Sequence, residues 1–143
     1  MESEIKEKSH ILIVDDDENL RLSLKMFLAR DGYCKISDVS NYEEAIEIVS
    51  TQKIDLIISD IILKGTSGMD LLRWVKKMGI ECPVVMITGY PSNETLSEAE
   101  QLGAFKYMPK PVKKDGFLSV TRNALQYHFN LTSEKPNKIF EEE

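Results

Sequence analysis

Short runs of β-branched and aliphatic residues alternate along the chain with longer segments whose apolar positions fall at helical spacing. Residues 10–15 (HILIVD) form the first run, a buried strand that stops at an acidic cluster. From Glu18 to Arg30, the apolar residues Leu20, Leu24, Phe27 and Leu28 share one helical face, and Gly32 supplies the stop. Cys34–Val39 reads as a weaker second strand. Ser40 and Glu43 then stand as a capping box for a helix to about Thr51, which turns Ala45, Ile46 and Val49 inward. Residues 54–59 (IDLIIS) are almost wholly apolar, as a central strand covered on both faces must be. A loop with Gly65 and Gly68 leads to a helix ending near Met78 that carries Leu71, Leu72 and Val75. Pro83–Ile87 is the fourth strand, Ser92–Leu102 a polar helix stopped by Gly103, and Phe105–Met108 the fifth strand. Pro109-Lys110-Pro111 interrupts the chain before a last helix over about Val112–Phe129.

Five strand–helix alternations with short connections require parallel strands and right-handed crossovers, which place helices on both faces. The pattern predicts a doubly wound α/β domain over residues 9–130: a five-stranded parallel sheet between two helical layers. The flanks, 1–8 and 131–143, are rich in charge and poor in apolar residues, so a flexible N-terminus and a charged C-terminal tail or linker are expected.

Composition narrows the function classes. With 143 residues the chain can bury one substantial core. Lys and Arg number 18 against 24 Asp and Glu, a formal charge of −6 that disfavours direct binding to nucleic acid or to anionic lipid. No apolar run approaches the roughly 20 residues of a membrane span, and MESEIKEKSH lacks the apolar core of a signal peptide. Cys34 and Cys82 are too far apart for a metal or redox pair and read as two reduced, packed thiols. A cytoplasmic location is expected.

Ligands of open parallel sheets bind beyond the carboxyl ends of the strands. Asp15, Asp16 and Asp17 follow the first strand, Asp60 the third, Thr88 the fourth and Lys110 the fifth. Each alone has an ordinary reading: helix-dipole acids, a turn former, a cap, a solvated lysine. Their common placement at one crevice is what those readings leave unexplained. Clustered carboxylates repel unless a cation joins them, and hard oxygen ligands favour Mg²⁺. With a lysine and a hydroxyl beside them, these groups make up the requirements of phosphoryl transfer. The crevice offers no Ser–His or Cys–His pair, so the nucleophile must be a carboxylate. Asp60 is the candidate because no acid adjoins it. Asp15 and Asp16 are then the metal ligands, with the Ile62 backbone carbonyl as a third.

The motifs that carry this chemistry are ILIVDDDE, IDLIISD, VVMITG and YMPKP, and over about residues 9–129 the sequence resembles the receiver (CheY-like) domain of two-component response regulators. The resemblance implies the flavodoxin-like strand order 2-1-3-4-5, with Mg²⁺ on Asp15, Asp16, Asp60 and the Ile62 carbonyl, and Mn²⁺ able to replace it. It implies that Asp60 accepts a phosphoryl group from a sensor histidine kinase or phosphotransfer protein, and that Thr88 and Lys110 contact that group. Tyr107 matches the aromatic that switches with Thr88, and the Lys110-Pro111 bond is often cis in the family. The readout surface it implies is Ser92–Phe129, toward a downstream effector or in a homodimer. Such a domain modifies only itself and relays a signal, so it is not expected to be an enzyme in the ordinary sense.

Some positions depart from the family pattern. Lys64 stands where proline is usual, and Asp17 replaces a frequent Glu. Ile62 and Tyr90 occupy positions that tune loss of the phosphoryl group, and an apolar Ile62 cannot orient water, so slow self-hydrolysis is expected. The TGYPS stretch resembles receivers of enhancer-binding transcription regulators. A haloacid-dehalogenase-type phosphohydrolase would use Asp15 and Asp17, but it needs further acids on a strand after Lys110. A flavodoxin-like flavin carrier would place a phosphate where Asp15–Asp17 repel it. A receiver-like domain that only binds partners would have no need of all these groups. His10 and His128 are expected to have no chemical role, and the Asn-x-Thr triplets at Asn93 and Asn130 none as glycosylation sites.

Overall fold

The computed structural model describes residues 2–142, with side chains as far as Thr132. In chain order the elements are α1 (Glu2–Lys8), β1 (His10–Val14), α2 (Glu18–Arg30), β2 (Lys35–Val39), α3 (Tyr42–Thr51) and β3 (Leu56–Asp60). There follow β4 (Ile62–Leu63), β5 (Thr66–Ser67), α4 (Gly68–Lys77), β6 (Val84–Thr88), α5 (Asn93–Gln101), β7 (Lys106–Pro109) and α6 (Lys114–Glu142). Five strands form one sheet in the order β2-β1-β3-β6-β7, every pair parallel. This is the expected doubly wound arrangement, with the order reversing beside β1.

Strand alternation sorts the core into two layers. Ile11, Ile13, Leu56, Ile58, Val85 and Ile87 face α1, α2 and α6, where Ile5, Leu24, Leu28, Phe117 and Leu125 meet them. Leu12, Val14, Ile57, Val84 and Met86 face α3, α4 and α5, against Ala45, Val49, Leu71, Leu72, Val75 and Ala99. A fully buried side chain of this size contributes about 2 kcal/mol. The two layers therefore outweigh the repulsion of a few acids, and the sheet can hold an electrostatically costly site at its edge.

Several expectations are corrected. Residues 1–8 were expected to be flexible, yet α1 is a helix from Glu2 onward, pinned by tertiary contacts. Ile5 is buried, the Cys34 N–H donates to the Lys6 carbonyl (3.2 Å), Lys6 pairs with Asp31 (3.3 Å), and Lys8 lies over the Phe129 ring (4.5 Å). At the other end α6 continues to Glu142, where a tail or linker was expected from 131; side chains past Thr132 and residue 143 lie outside the described residues. The cap of α3 is Asn41 rather than Ser40. Asn41 Oδ1 accepts from the Glu44 N–H (2.9 Å), while Glu44 Oε1 accepts from the Ser40 N–H (3.3 Å) and not from the cap residue's own N–H, so the cap sits one residue later and the expected Ser40–Glu43 box does not form. Of the two thiols only Cys82 is packed; Cys34 is exposed. Between β3 and α4 an antiparallel pair, β4 with β5, was not foreseen.

Candidate functional site

The register of the parallel sheet brings its strand ends to a common edge. Asp60 is the last residue of β3 and pairs with Ile87, while Thr88 ends β6 and pairs with Pro109 of β7. Asp15 follows β1 directly and is tied to β2 by its N–H, which donates to the Val39 carbonyl (3.1 Å). Asp17 caps α2, its side chain accepting from the N–H groups of Asn19 and Leu20. That assignment separates Asp17 from its neighbours: it serves the helix, and Asp15 and Asp16 serve the crevice.

The crevice holds four of the expected groups. One carboxylate oxygen from each of Asp15, Asp16 and Asp60 lies within 4.8 Å of the other two. Lys110 Nζ donates to Asp60 Oδ2 at 2.8 Å and lies 3.1 Å from Asp15 Oδ2. Asp60 Oδ1 accepts from the Ile62 N–H (3.1 Å). Asp15 is fully buried and Asp60 nearly so, whereas Asp16 is exposed. Burial pushes the Asp15 carboxyl above the usual range, against the lowering effect of the Asp17 N–H and of Lys110. Lys110 moves upward as well: burial opposes it, but the Asp60 and Asp15 carboxylates outweigh burial and keep the ammonium charged.

The donors suit a hard divalent cation. Three carboxylates from two strand ends supply charge and oxygen. Asp15 Oδ2 is buried and meets the Lys110 ammonium at 3.1 Å, an oxygen already held against a cation and free to face a divalent one. Ile62 enters β4 just beyond, with its side chain about half exposed, so its backbone lies beside the acids while its side chain faces outward.

Thr88 and Tyr107 are placed apart from one another in their bonding. Thr88 is buried, and its Oγ1 accepts from the Tyr90 N–H (3.0 Å). The Tyr107 hydroxyl lies 2.6 Å from Thr95 Oγ1 and accepts from the Ser92 N–H at 3.1 Å, which docks it on the first turn of α5. Lys110 is anchored by its own N–H, which donates to the Thr88 carbonyl (2.7 Å), and Lys110-Pro111 is cis. Gly68 opens α4 against the site: a Cβ there would strike the Asp60 carbonyl oxygen. Its N–H donates to the Ile61 carbonyl (2.6 Å), closing the β4–β5 loop onto β3.

Two groups near this architecture escaped the sequence reading. Arg21, one turn into α2, donates through Nη1 to the Asp15 carbonyl (2.7 Å) and through Nε to Asp38 Oδ2 (2.8 Å). Its place four residues after Asp17 was the available signal. At the opposite end of the sheet, Asp55 and His128 form a buried pair (2.9 Å) across 73 positions, a separation no local pattern reveals. His128 thus has a structural partner, and His10 Nε2 bonds to Ser37 Oγ (2.7 Å).

Residues 11–122 match the response regulator receiver domain family. The chain is 32% identical over 127 residues to the transcriptional regulatory protein GlrR of Escherichia coli (strain K12), covering 89% of this chain and 28% of that protein. It is 33% identical over 127 residues to the response regulator protein PilR of Pseudomonas aeruginosa, covering 87% of this chain and 28% of that one. The chain therefore spans little more than a quarter of the length of these relatives. Among solved structures, a CheY-like response regulator receiver domain protein from Methanospirillum hungatei superposes with a TM-score of 0.80 at 29% identity, covering 85% of this chain and 97% of that one. The beryllofluoride-activated NtrC4 receiver domain dimer superposes with a TM-score of 0.78 at 25% identity, covering 83% and 98%. The chain belongs to the response regulator receiver domain family.

Proposed function

We propose that Asp60 is the residue on which this receiver takes up its phosphoryl group. The observation that carries the reading is the placement of Asp60 Oδ2 against Lys110 Nζ, beside the buried Asp15 and within reach of Asp16. A carboxylate oxygen of Asp60 attacks phosphorus, the phosphorus–nitrogen bond of a donor phosphohistidine breaks, and the bonding pair returns to the imidazole. The chain's own groups position the reactants. The Ile62 N–H holds one Asp60 oxygen, and the Lys110 ammonium lies where charge gathers on the transferred group's equatorial oxygens. Asp15, Asp16, Asp60 and the Ile62 carbonyl would hold Mg²⁺, or Mn²⁺ in its place. When bound, the cation neutralises phosphoryl charge and orients the group for in-line transfer.

Thr88 and Tyr107 form the switch. Thr88 Oγ1, now bonded to the Tyr90 N–H, turns toward the phosphoryl group, and Tyr107 exchanges its α5 contacts for the space this leaves. The phosphoryl group thereby favours one of two arrangements of the Ser92–Phe129 face. The partners in this reading are a sensor histidine kinase or phosphotransfer protein upstream and an effector downstream, within a cytoplasmic relay, with the Ser92–Phe129 face open to a homodimer. The domain modifies itself and turns over no separate substrate. Ile62 and Tyr90 lie exposed beside the site and offer no side-chain carboxylate or amide to orient water, which favours a long-lived phosphoryl group. Incubation with acetyl phosphate and Mg²⁺ followed by hydroxylamine tests the chemistry. An acyl phosphate is discharged by hydroxylamine, and a label that resists it contradicts a carboxylate acceptor.

A further inference from the structure

Asp15 has four hydrogen-bonding groups, and three of them are held from outside the crevice. Its N–H donates to the Val39 carbonyl (3.1 Å), its Oδ1 accepts from the Asp17 N–H (2.8 Å), and its carbonyl accepts from Arg21 Nη1 (2.7 Å). Only Oδ2 faces the crevice, with the Lys110 ammonium 3.1 Å away. Arg21 is itself fixed. Its N–H donates to the Asp17 carbonyl (3.1 Å), and its Nε donates to Asp38 Oδ2 (2.8 Å), whose other oxygen takes Lys25 Nζ (2.9 Å). The Arg21 side chain is only 15% exposed. Burial would raise the Asp38 carboxyl, but Lys25 and Arg21 hold it below the usual range, so the clamp stays ionised.

A backbone carbonyl beside clustered acids is a competent hard-oxygen ligand in its own right. The planar guanidinium removes that option and sets the direction of the peptide group, because its fork bonds two acceptors in fixed geometry. We infer that Arg21, locked by Asp38, is a positioning residue of the divalent-cation site. It engages the Asp15 carbonyl, so that Asp15 presents its carboxylate Oδ2, in a fixed orientation, toward Asp16 and Asp60. The inference rests on the reading of these three aspartates as the cation site.

Charge and positioning make opposite demands on this residue. Removing a cation near three carboxylates should by Coulomb's law alone tighten Mg²⁺ binding. Loss of positioning should weaken it. The test is calorimetric titration of the full chain with Mg²⁺ alone, well below the melting temperature, for the wild type, Arg21→Met and Arg21→Lys. Met keeps much of the apolar stem, and Lys keeps the charge but not the fork. The inference expects the Mg²⁺ dissociation constant to rise at least fivefold in both variants. Should Arg21→Met not fold, Arg21→Lys decides, since charge alone predicts no change there. An affinity equal to or tighter than wild type in the folded variants overturns the positioning role. A wild type that takes up no Mg²⁺ overturns the underlying cation-site reading instead.

Discussion

Lys110 Nζ lies 2.8 Å from Asp60 Oδ2, joining two residues 50 positions apart in the chain. The same ammonium reaches Asp15, so one cation offsets the repulsion of two buried acids. It also competes with any metal for their oxygens. A unit charge about 4 Å away at an effective dielectric of about 20 is worth about 4 kcal/mol; water and salt reach the partly exposed Lys110 and screen this to about a third, which is tenfold in affinity. Lys110→Met is therefore expected to bind Mg²⁺ roughly tenfold more tightly while gaining less phosphoryl group at a fixed acetyl phosphate concentration. Calorimetry and phosphoprotein gels measure the two effects, and a parallel loss of both would contradict the competition.

Gly68 is required by contact rather than by conformation. A Cβ would meet the Asp60 carbonyl oxygen, and Met86 Cε at 3.0 Å beyond it, so backbone on one side has to move. Gly68→Ala is expected to cost about 3 kcal/mol, measured by urea unfolding. An unchanged midpoint would show that the β3–α4 approach is looser than described.

Acid stability depends on the far end of the sheet. Burial works against Asp55, but bonds from the His128 ring and the His10 N–H outweigh it and hold the carboxyl below the usual range. A depressed folded-state pKa stabilises where the unfolded carboxylate is ionised, above about 3.8, and that stabilisation is lost as pH falls toward the folded value. Wild type should lose stability below about pH 4, and Asp55→Ala should cost about 3 kcal/mol at pH 6 and flatten that acid limb. Denaturant unfolding from pH 6 to 3 measures both. An acid limb equally steep in Asp55→Ala would assign it to other carboxylates.

The thiols should differ sharply. Cys34 is exposed, and burial pushes the Cys82 thiol far above its usual range, leaving it protonated and inert. A chromogenic disulfide reagent is expected to modify one thiol in the native protein and two in denaturant. Fast native reaction of both would mean that the β6 end opens readily.

What the sequence shows of this molecule follows period and punctuation. The strands around Ile13, Ile58 and Val85 are legible because parallel strands buried on both faces must be continuously apolar. The site is legible because Asp60, Thr88 and Lys110 interrupt those runs at their ends. By contrast α1 has Ile5 as its one large buried side chain and no period to read; its helix depends on contacts with Cys34, Asp31 and Phe129. The β4–β5 pair is two residues a side, too short to show alternation. Arg21 looks like any charged helix residue, and its importance lies in the peptide carbonyl it reaches.

The measurement that bears most directly on the account is intact mass after incubation with acetyl phosphate and Mg²⁺. The wild type is expected to gain one phosphoryl group, whereas Asp60→Asn and a sample treated with EDTA gain none. A single phosphoryl group retained by Asp60→Asn would contradict the account, because the acceptor would then lie elsewhere than the carboxylate that Lys110 faces.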